Sequence, residues 1–295
     1  MDIPDLSAEP YAIAEAVSPL IRRVLARNAS PFSYTGMQTY IVGHGDVAVI
    51  DPGPLGDDPA HVGALVRILG GERVVAIMCT HTHRDHSPAA TPLKTATGAA
   101  LIGCARLVSE DDGPRSDASF DTTYFPDQVL ADGEAVTGPG WTLRALATPG
   151  HTSNHLCFAL EEEKALFSGD HVMGWSTTVV SPPDGDMADY MASLALLLPR
   201  DDAIYYPAHG KPVEKPQRLV RGMMGHRKQR EGQILRLLGK GVGAIPAMVL
   251  EMYKGIDVRL HGAAGRSVLA HLIDLKARGL VGQSGDVWAA MPVGR

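Results

Sequence analysis

Aromatic side chains are scarce in this sequence, at 5% of residues, which weakens any reading that rests on stacking platforms. Cysteine is scarcer still. Cys79, Cys104 and Cys157 are the only three, an odd number with no CxxC pair. That excludes a disulfide framework and fits a reducing compartment with ordinary buried thiols. No apolar run approaches the length of a membrane span, so no membrane partner is expected. The start, Met1-Asp2-Ile3-Pro4-Asp5, is acidic and lacks the basic-then-apolar pattern of a secretion signal. A cytoplasmic location is the expectation. Internal repeats and low-complexity segments are also missing. What remains is 295 residues, 45% hydrophobic, enough for one large or two ordinary domains with a full core.

Charge is unevenly spread. Residues 1–210 carry 12 basic and 27 acidic residues, a net −15, whereas residues 211–295 carry 15 and 6, a net +9. Such a split suggests two units with different partners, the second able to face a polyanion. Charged helix faces in contact with water would give the same composition.

The densest chemistry lies in Thr80-His81-Thr82-His83-Arg84-Asp85-His86, where three imidazoles and a carboxylate occupy six positions. The stretch follows Val74–Cys79, too short and too β-branched for a helix, so it reads as the loop leaving a buried strand. Neutral imidazole and carboxylate are ligands that zinc prefers and that iron and manganese accept.

The same context recurs. The strand Trp141–Ala147 leads to Thr148-Pro149-Gly150-His151, the hairpin Leu156–Leu160 and Ala165–Phe167 to Ser168-Gly169-Asp170-His171, and the strand Ala203–Tyr206 to Pro207-Ala208-His209-Gly210. Several strand ends delivering ligands to one edge is how a sheet builds a rigid site. Seven candidate ligands follow: His81, His83, Asp85, His86, His151, Asp170 and His209. The allocation expected is His81, His83 and His151 on one divalent cation, Asp85, His86 and His209 on a second, and Asp170 bridging. Two cations acidify a shared water and stabilise charge on a scissile carbonyl or phosphoryl group. Asp85 could also accept or pass the proton of that water, a catalytic role. His171 follows the bridging aspartate and is expected to line the pocket. His155 lies in a strand, packed in the core or steadying a ligand. His44, His61, His226, His261 and His271 read as surface or packing residues.

Other elements are expected as follows. Thr39–Val42 and Val47–Ile50 form a hairpin through Gly43-His44-Gly45-Asp46, ending at Asp51-Pro52-Gly53. Asp51 there fixes a loop or steadies the site. Pro59–Leu69 is a helix with Val62, Leu65, Val66 and Leu69 on one face, and Ser87-Pro88 caps a helix to about Thr97. Asp186–Leu198 is an amphipathic helix. Residues 109–127, acidic and with Asp111-Asp112-Gly113-Pro114, read as a loop bordering the substrate. Pattern alone leaves Val17–Leu25 open between helix and strand. Beyond Pro216, helices at Leu219–Leu238, Ile245–Met252 and Arg266–Arg278 precede a small hairpin closing at Val287–Ala290, which is a winged-helix order.

These motifs, in this order, resemble the metallo-β-lactamase superfamily. The resemblance implies an α/β fold, an αββα sandwich with a di-metal site at one edge, followed by a small helical winged-helix-like C-terminal domain. It puts the catalytic domain at residues 1–213 and the second at 214–295. It makes Val17–Leu25 a strand and matches Asp51 to the family's first motif, a residue beside the ligands. Asp170–Val179, Asp189-Tyr190-Met191 and His226-Arg227-Lys228-Gln229-Arg230 are most similar to the mitochondrial β-lactamase-like endoribonuclease subgroup and its bacterial relatives. On that likeness Thr177 and Tyr190 join Asp51 and His171 beside the ligands or in the substrate pocket. Gly36-Met37-Gln38-Thr39-Tyr40 departs from the subgroup's Gly-Thr-Asn-Thr-Tyr.

The expected activity is therefore a binuclear metal-dependent hydrolase, its two divalent ions zinc, with iron or manganese as alternatives. Asp170 argues against antibiotic hydrolysis, since β-lactamases of this fold generally lack the bridging aspartate. The expected substrate is single-stranded RNA or a small-molecule acyl thioester, as in glyoxalase-II-type relatives. A winged-helix nucleic-acid-binding regulator with a ligand-sensing metal domain is the remaining reading. Homo-oligomerisation is left open.

Overall fold

The structure, a computed structural model, describes residues 5–107 and 120–291. The Asp111-Asp112-Gly113-Pro114 stretch expected to border the substrate lies outside the described residues.

Two sheets form the centre. In the first, β1 (Ala14–Ala16), β2 (Ile21–Leu25), β3 (Gln38–Val42), β4 (Asp46–Ile50), β5 (Arg73–Cys79), β6 (Ala100–Gly103) and β7 (Gln128–Val129) lie side by side in chain order. Pairing is antiparallel up to β4 and parallel from β4 to β7. The switch follows from the connections. The β3–β4 hairpin turns in a few residues, whereas α1 (His61–Ile68) and α2 (Ala90–Thr97) supply the crossovers that parallel neighbours need. The second sheet runs β12 (Ile204–Pro207), β11 (Ala165–Gly169), β10 (Leu156–Leu160), β9 (Trp141–Ala147), β8 (Ala135–Gly138).

The sandwich is legible in β10, where every residue is buried. Leu156, Phe158 and Leu160 face a core shared with Ile41, Val49 and Ile77 of the first sheet, while Cys157 and Ala159 face Tyr190, Leu194 and Leu197 of α3 (Met187–Leu197). A period of two with both faces apolar is what a strand between two layers requires. Each such leucine or phenylalanine contributes about 1.5–3 kcal/mol on burial. Helices α1 and α2 cover the outer face of the first sheet through Leu65 and Leu93, completing the αββα order.

The C-terminal part holds α4 (Pro216–Leu238), α5 (Ile245–Met252), α6 (His261–Ala277) and the hairpin β13 (Val281–Ser284) and β14 (Val287–Ala290). Helix α4 belongs to two cores. Val220 and Met223 pack with α3, whereas Ile234 and Leu238 pack with Val249, Leu272 and Trp288. At 23 residues it spans about 35 Å, long enough to join both.

Some local expectations need correction. Ser87 does not cap α2. The N-cap is Ala89, without a side-chain bond, and the Ser87 hydroxyl donates to Asp121 at 2.9 Å instead. Val66 is 39% exposed, so the buried stripe of α1 is His61, Ala64 and Leu65. Helix α6 begins at His261 rather than Arg266. Strand β2 settles the open reading at Val17–Leu25. Among the described residues no helix is long and apolar enough to cross a membrane.

Candidate metal centre

Five strand ends meet at one edge of the sandwich. Asp51 follows β4, the His81–His86 loop follows β5, His151 follows β9, Asp170 follows β11 and His209 follows β12. Their ligand atoms fall into two groups: His81, His83, His151 and Asp170, then Asp85, His86 and His209, each within 4.8 Å. In the first, His83 Nδ1 lies 2.9 Å from His81 Nε2 and 3.1 Å from His151 Nε2. In the second, Asp85 Oδ2 lies 3.1 Å from His209 Nε2 and 3.7 Å from His86 Nε2. Asp170 spans the groups, with Oδ2 3.6 Å from His151 Nε2 and 3.7 Å from His86 Nε2, and Oδ1 3.5 Å from His209 Nε2.

In four of the five imidazoles the other ring nitrogen is tied outward, and in His83 the outer Nε2 is buried with no hydrogen-bond partner among the described residues. His81 Nδ1 donates to Thr80 Oγ1 at 3.0 Å, and Thr80 Oγ1 donates to Asp51 Oδ2 at 2.7 Å. His86 Nδ1 donates to the same Asp51 oxygen at 3.0 Å. His151 Nδ1 donates to the Val179 carbonyl at 2.6 Å, and His209 Nδ1 to that of Gly36 at 3.3 Å. A proton held on the outer nitrogen leaves the inner one with a free lone pair, the form a cation needs. His86 Nε2 and Asp170 Oδ1 are buried with no hydrogen-bond partner among the described residues. Orphaned buried polar atoms are costly and call for a ligand. This donor set fits a pair of divalent cations.

The electrostatics of the site's own side chains show a demand for positive charge. Burial, with the neighbouring imidazoles adding to it, holds His81 well below the usual histidine range. His86 is equally buried, yet the Asp85, Asp170 and Asp51 carboxylates overcome desolvation and raise it well above that range. Burial pushes against ionisation of Asp170, but His209, His86 and His151 outweigh it and hold the carboxyl low. Carboxylates this deep need positive charge beside them.

Asp170 is positioned through its backbone. Its N–H donates to His155 Nε2 at 3.2 Å, and its carbonyl accepts from Thr178 Oγ1 at 2.8 Å. His155 thus steadies a ligand residue. Thr177, the neighbour singled out from the motif, is exposed, whereas Thr178 is buried and makes the bond. His171 and Tyr190 are fully buried with rings 5.0 Å apart, and Tyr190 Oη donates to the His171 carbonyl. Both side chains lie in the protein interior, and a place for His171 in the substrate pocket remains a proposal. Thr178 and the Val179 and Gly36 carbonyls escaped sequence reasoning. A carbonyl carries no residue signature, and two adjacent threonines do not reveal which one points inward.

The site opens beside Asp85 into a cavity of ≈620 Å³ whose walls include Arg27, Ser30, Phe32, Asp57 and Arg84. A second cavity, of ≈260 Å³, lies between residues 173–179 and the C-terminal helices and shares Phe32 with the first.

Comparison with known proteins agrees with this architecture. Residues 35–209 match the model of the Metallo-beta-lactamase superfamily, and residues 245–288 that of the Beta-lactamase associated winged helix domain. The chain belongs to the metallo-beta-lactamase superfamily and is a metal-dependent hydrolase. It is similar to the lactamase-like protein ptaB of Pestalotiopsis fici, 30% identical over 88% of this chain and 80% of that one. It is similar also to the atrochrysone carboxyl ACP thioesterase of Aspergillus fumigatus, 33% identical over 80% of this chain and 69% of that one. These relatives are not named as endoribonucleases. In fold it is similar to a metallo-beta-lactamase family protein of Thermus thermophilus, at TM-score 0.74 and 22% identity over 94% of this chain and all, 100%, of that one. A beta-lactamase domain protein of Burkholderia ambifaria aligns at TM-score 0.76 and 20% identity over 96% and 94%.

Proposed function

We propose that this protein hydrolyses an acyl thioester. The observation that carries the reading is the 33% identity, over 80% of the chain, with a protein named as an ACP thioesterase. In this reading His81, His83 and His151 hold one divalent ion, Asp85, His86 and His209 the other, and Asp170 is shared. Zinc is the metal proposed, from the imidazole and carboxylate donors. Such a pair, when bound, supplies a water acidified towards neutrality and polarises the thioester carbonyl. Asp85 has a side chain 20% exposed, against 12% for Asp170, and borders the open cavity. It is the carboxylate placed to take the water's proton and pass it to the departing sulfur. One C–O bond forms, one C–S bond breaks, and the products are a carboxylic acid and a thiol.

Single-stranded RNA draws its support from the basic C-terminal region. Several of those cations are engaged within the chain, which weakens that support. Buried Arg227 donates to the Thr178 carbonyl, Arg230 bonds the Met252 carbonyl at 3.0 Å, and Arg278 pairs with Asp274 at 3.0 Å. The catalytic half, at net −15, would also repel a polyanion. The cysteine usage supports a cytoplasmic location.

The test is a parallel assay of metal-analysed protein on acyl thioesters and on labelled single-stranded RNA, with Asp85→Ala as the contamination control. Thioester turnover that disappears in Asp85→Ala, with RNA left intact, is expected. RNA cleavage lost in the variant, without thioester turnover, moves the protein to the nuclease class.

A further inference from the structure

We infer that the cavity between residues 173–179 and the C-terminal helices receives the apolar part of the acyl group, so that the winged-helix region sets chain-length preference. This rests on the thioesterase reading.

The position of the cavity comes first. One wall is built from Thr178 and Val179, and these are the residues that hold the ligands. Thr178 Oγ1 donates to the Asp170 carbonyl at 2.8 Å, and the Val179 carbonyl accepts from His151 Nδ1 at 2.6 Å. The cavity is therefore separated from the metal ligands by a single layer of chain. Phe32 lines both this cavity and the one that reaches Asp85, so the two spaces adjoin at that residue, which is the proposed route for an acyl group with its carbonyl at the site.

Chemistry points the same way. The opposite wall carries Tyr253, Ile256 and Leu260 from the C-terminal region. Two arginines border the space, and each gives part of its guanidinium to the protein, although Arg227 Nε has no hydrogen-bond partner among the described residues. Arg227 donates to the Thr178 carbonyl, and Arg230 bonds the Met252 carbonyl and lies 4.4 Å over the Tyr253 ring. The lining open to a ligand is nevertheless mainly apolar. At ≈260 Å³ the space equals roughly nine liquid-water volumes, enough for a medium-length alkyl chain or a compact ring. Transferring each methylene from water to such a wall favours binding by about fourfold.

The test uses the full, metal-loaded chain and N-acetylcysteamine thioesters of acetate, hexanoate and decanoate. The wild type is expected to show kcat/KM rising with chain length. Ala263→Phe on α6 and Ile256→Trp, each adding bulk to the cavity from a different segment, are expected to lower the decanoyl-to-acetyl ratio of kcat/KM at least tenfold. Metal content and a thermal melt establish that each variant is folded. The wild-type profile needs no variant, so a misfolded one leaves the test standing. A flat wild-type profile, or a ratio unchanged in both folded variants, overturns the acyl subsite while leaving thioester hydrolysis in place. No turnover of any thioester by metal-loaded wild type overturns the thioesterase reading and the subsite with it.

Discussion

Asp51 orients two ligand histidines through a single carboxylate. Oδ2 accepts from His86 Nδ1 and, through Thr80, governs His81, while Oδ1 accepts from the Thr80 N–H at 2.7 Å. Its backbone sits at φ +48°, a left-handed conformation that aspartate tolerates better than most residues. Asp51→Asn keeps the shape but turns an acceptor into a donor facing other donors. Metal affinity, measured by competition with a chelator, is expected to fall about 10–100-fold, and wild-type affinity in Asp51→Asn would contradict the role. A histidine away from the site contributes to acid sensitivity. His271 is buried in α6, and both its ring nitrogens lack hydrogen-bond partners among the described residues. Burial, aided by Arg227, His226, Arg230 and Arg278, pulls it down to about 3. Between that value and the unfolded value near 6.5 the unfolded chain binds the extra proton, so stability falls as pH drops through this window. Urea denaturation at pH 7 and pH 5 is expected to show wild type losing about 2 kcal/mol more than His271→Leu, and equal losses would exclude His271 as the cause.

At the scale of elements, the placement of His151 depends on Gly150. It sits at φ +128°, and a Cβ there would meet the Tyr190 backbone at 2.3 Å, so α3 packs directly on the loop that carries the ligand. Gly150→Ala is expected to cost about 1–3 kcal/mol, read from the urea midpoint, and an unchanged midpoint would show the loop free to yield. Elements were legible in the sequence where burial imposed a pattern. The apolar run of β5 and the alternation Trp141, Leu143, Ala145 in β9 mark strands directly. Three short strands at the margins, β1, β7 and β8, were not legible. β7 is Gln128–Val129, both exposed, and β8 has no fully buried residue, so neither leaves a hydrophobic period. The candidate site was more legible than the fold around it. Imidazoles and carboxylates cluster in sequence for few reasons other than metal, whereas the bonds that aim them run through carbonyls and through one of two adjacent threonines.

For the whole molecule, charge and packing give different divisions. Composition breaks near residue 210, yet α4 shares one core with α3 and another with α5 and α6. The C-terminal region is therefore packed against the catalytic layers, with the ≈260 Å³ cavity at the junction. Basic composition there is offset in part by internal pairs such as Arg278 with Glu231 and Arg259 with Asp257. In the proposed function the two ligand groups, joined by Asp170, act as one reactive centre. Its most direct test is thioester turnover measured against equivalents of divalent metal returned to stripped protein, for wild type and Asp170→Ala. No turnover is expected without metal, with a plateau at two equivalents in wild type, and in Asp170→Ala a loss of bound metal with turnover down by roughly a hundredfold or more. Full turnover in the stripped protein, or Asp170→Ala that binds two equivalents and turns over like wild type, would contradict it.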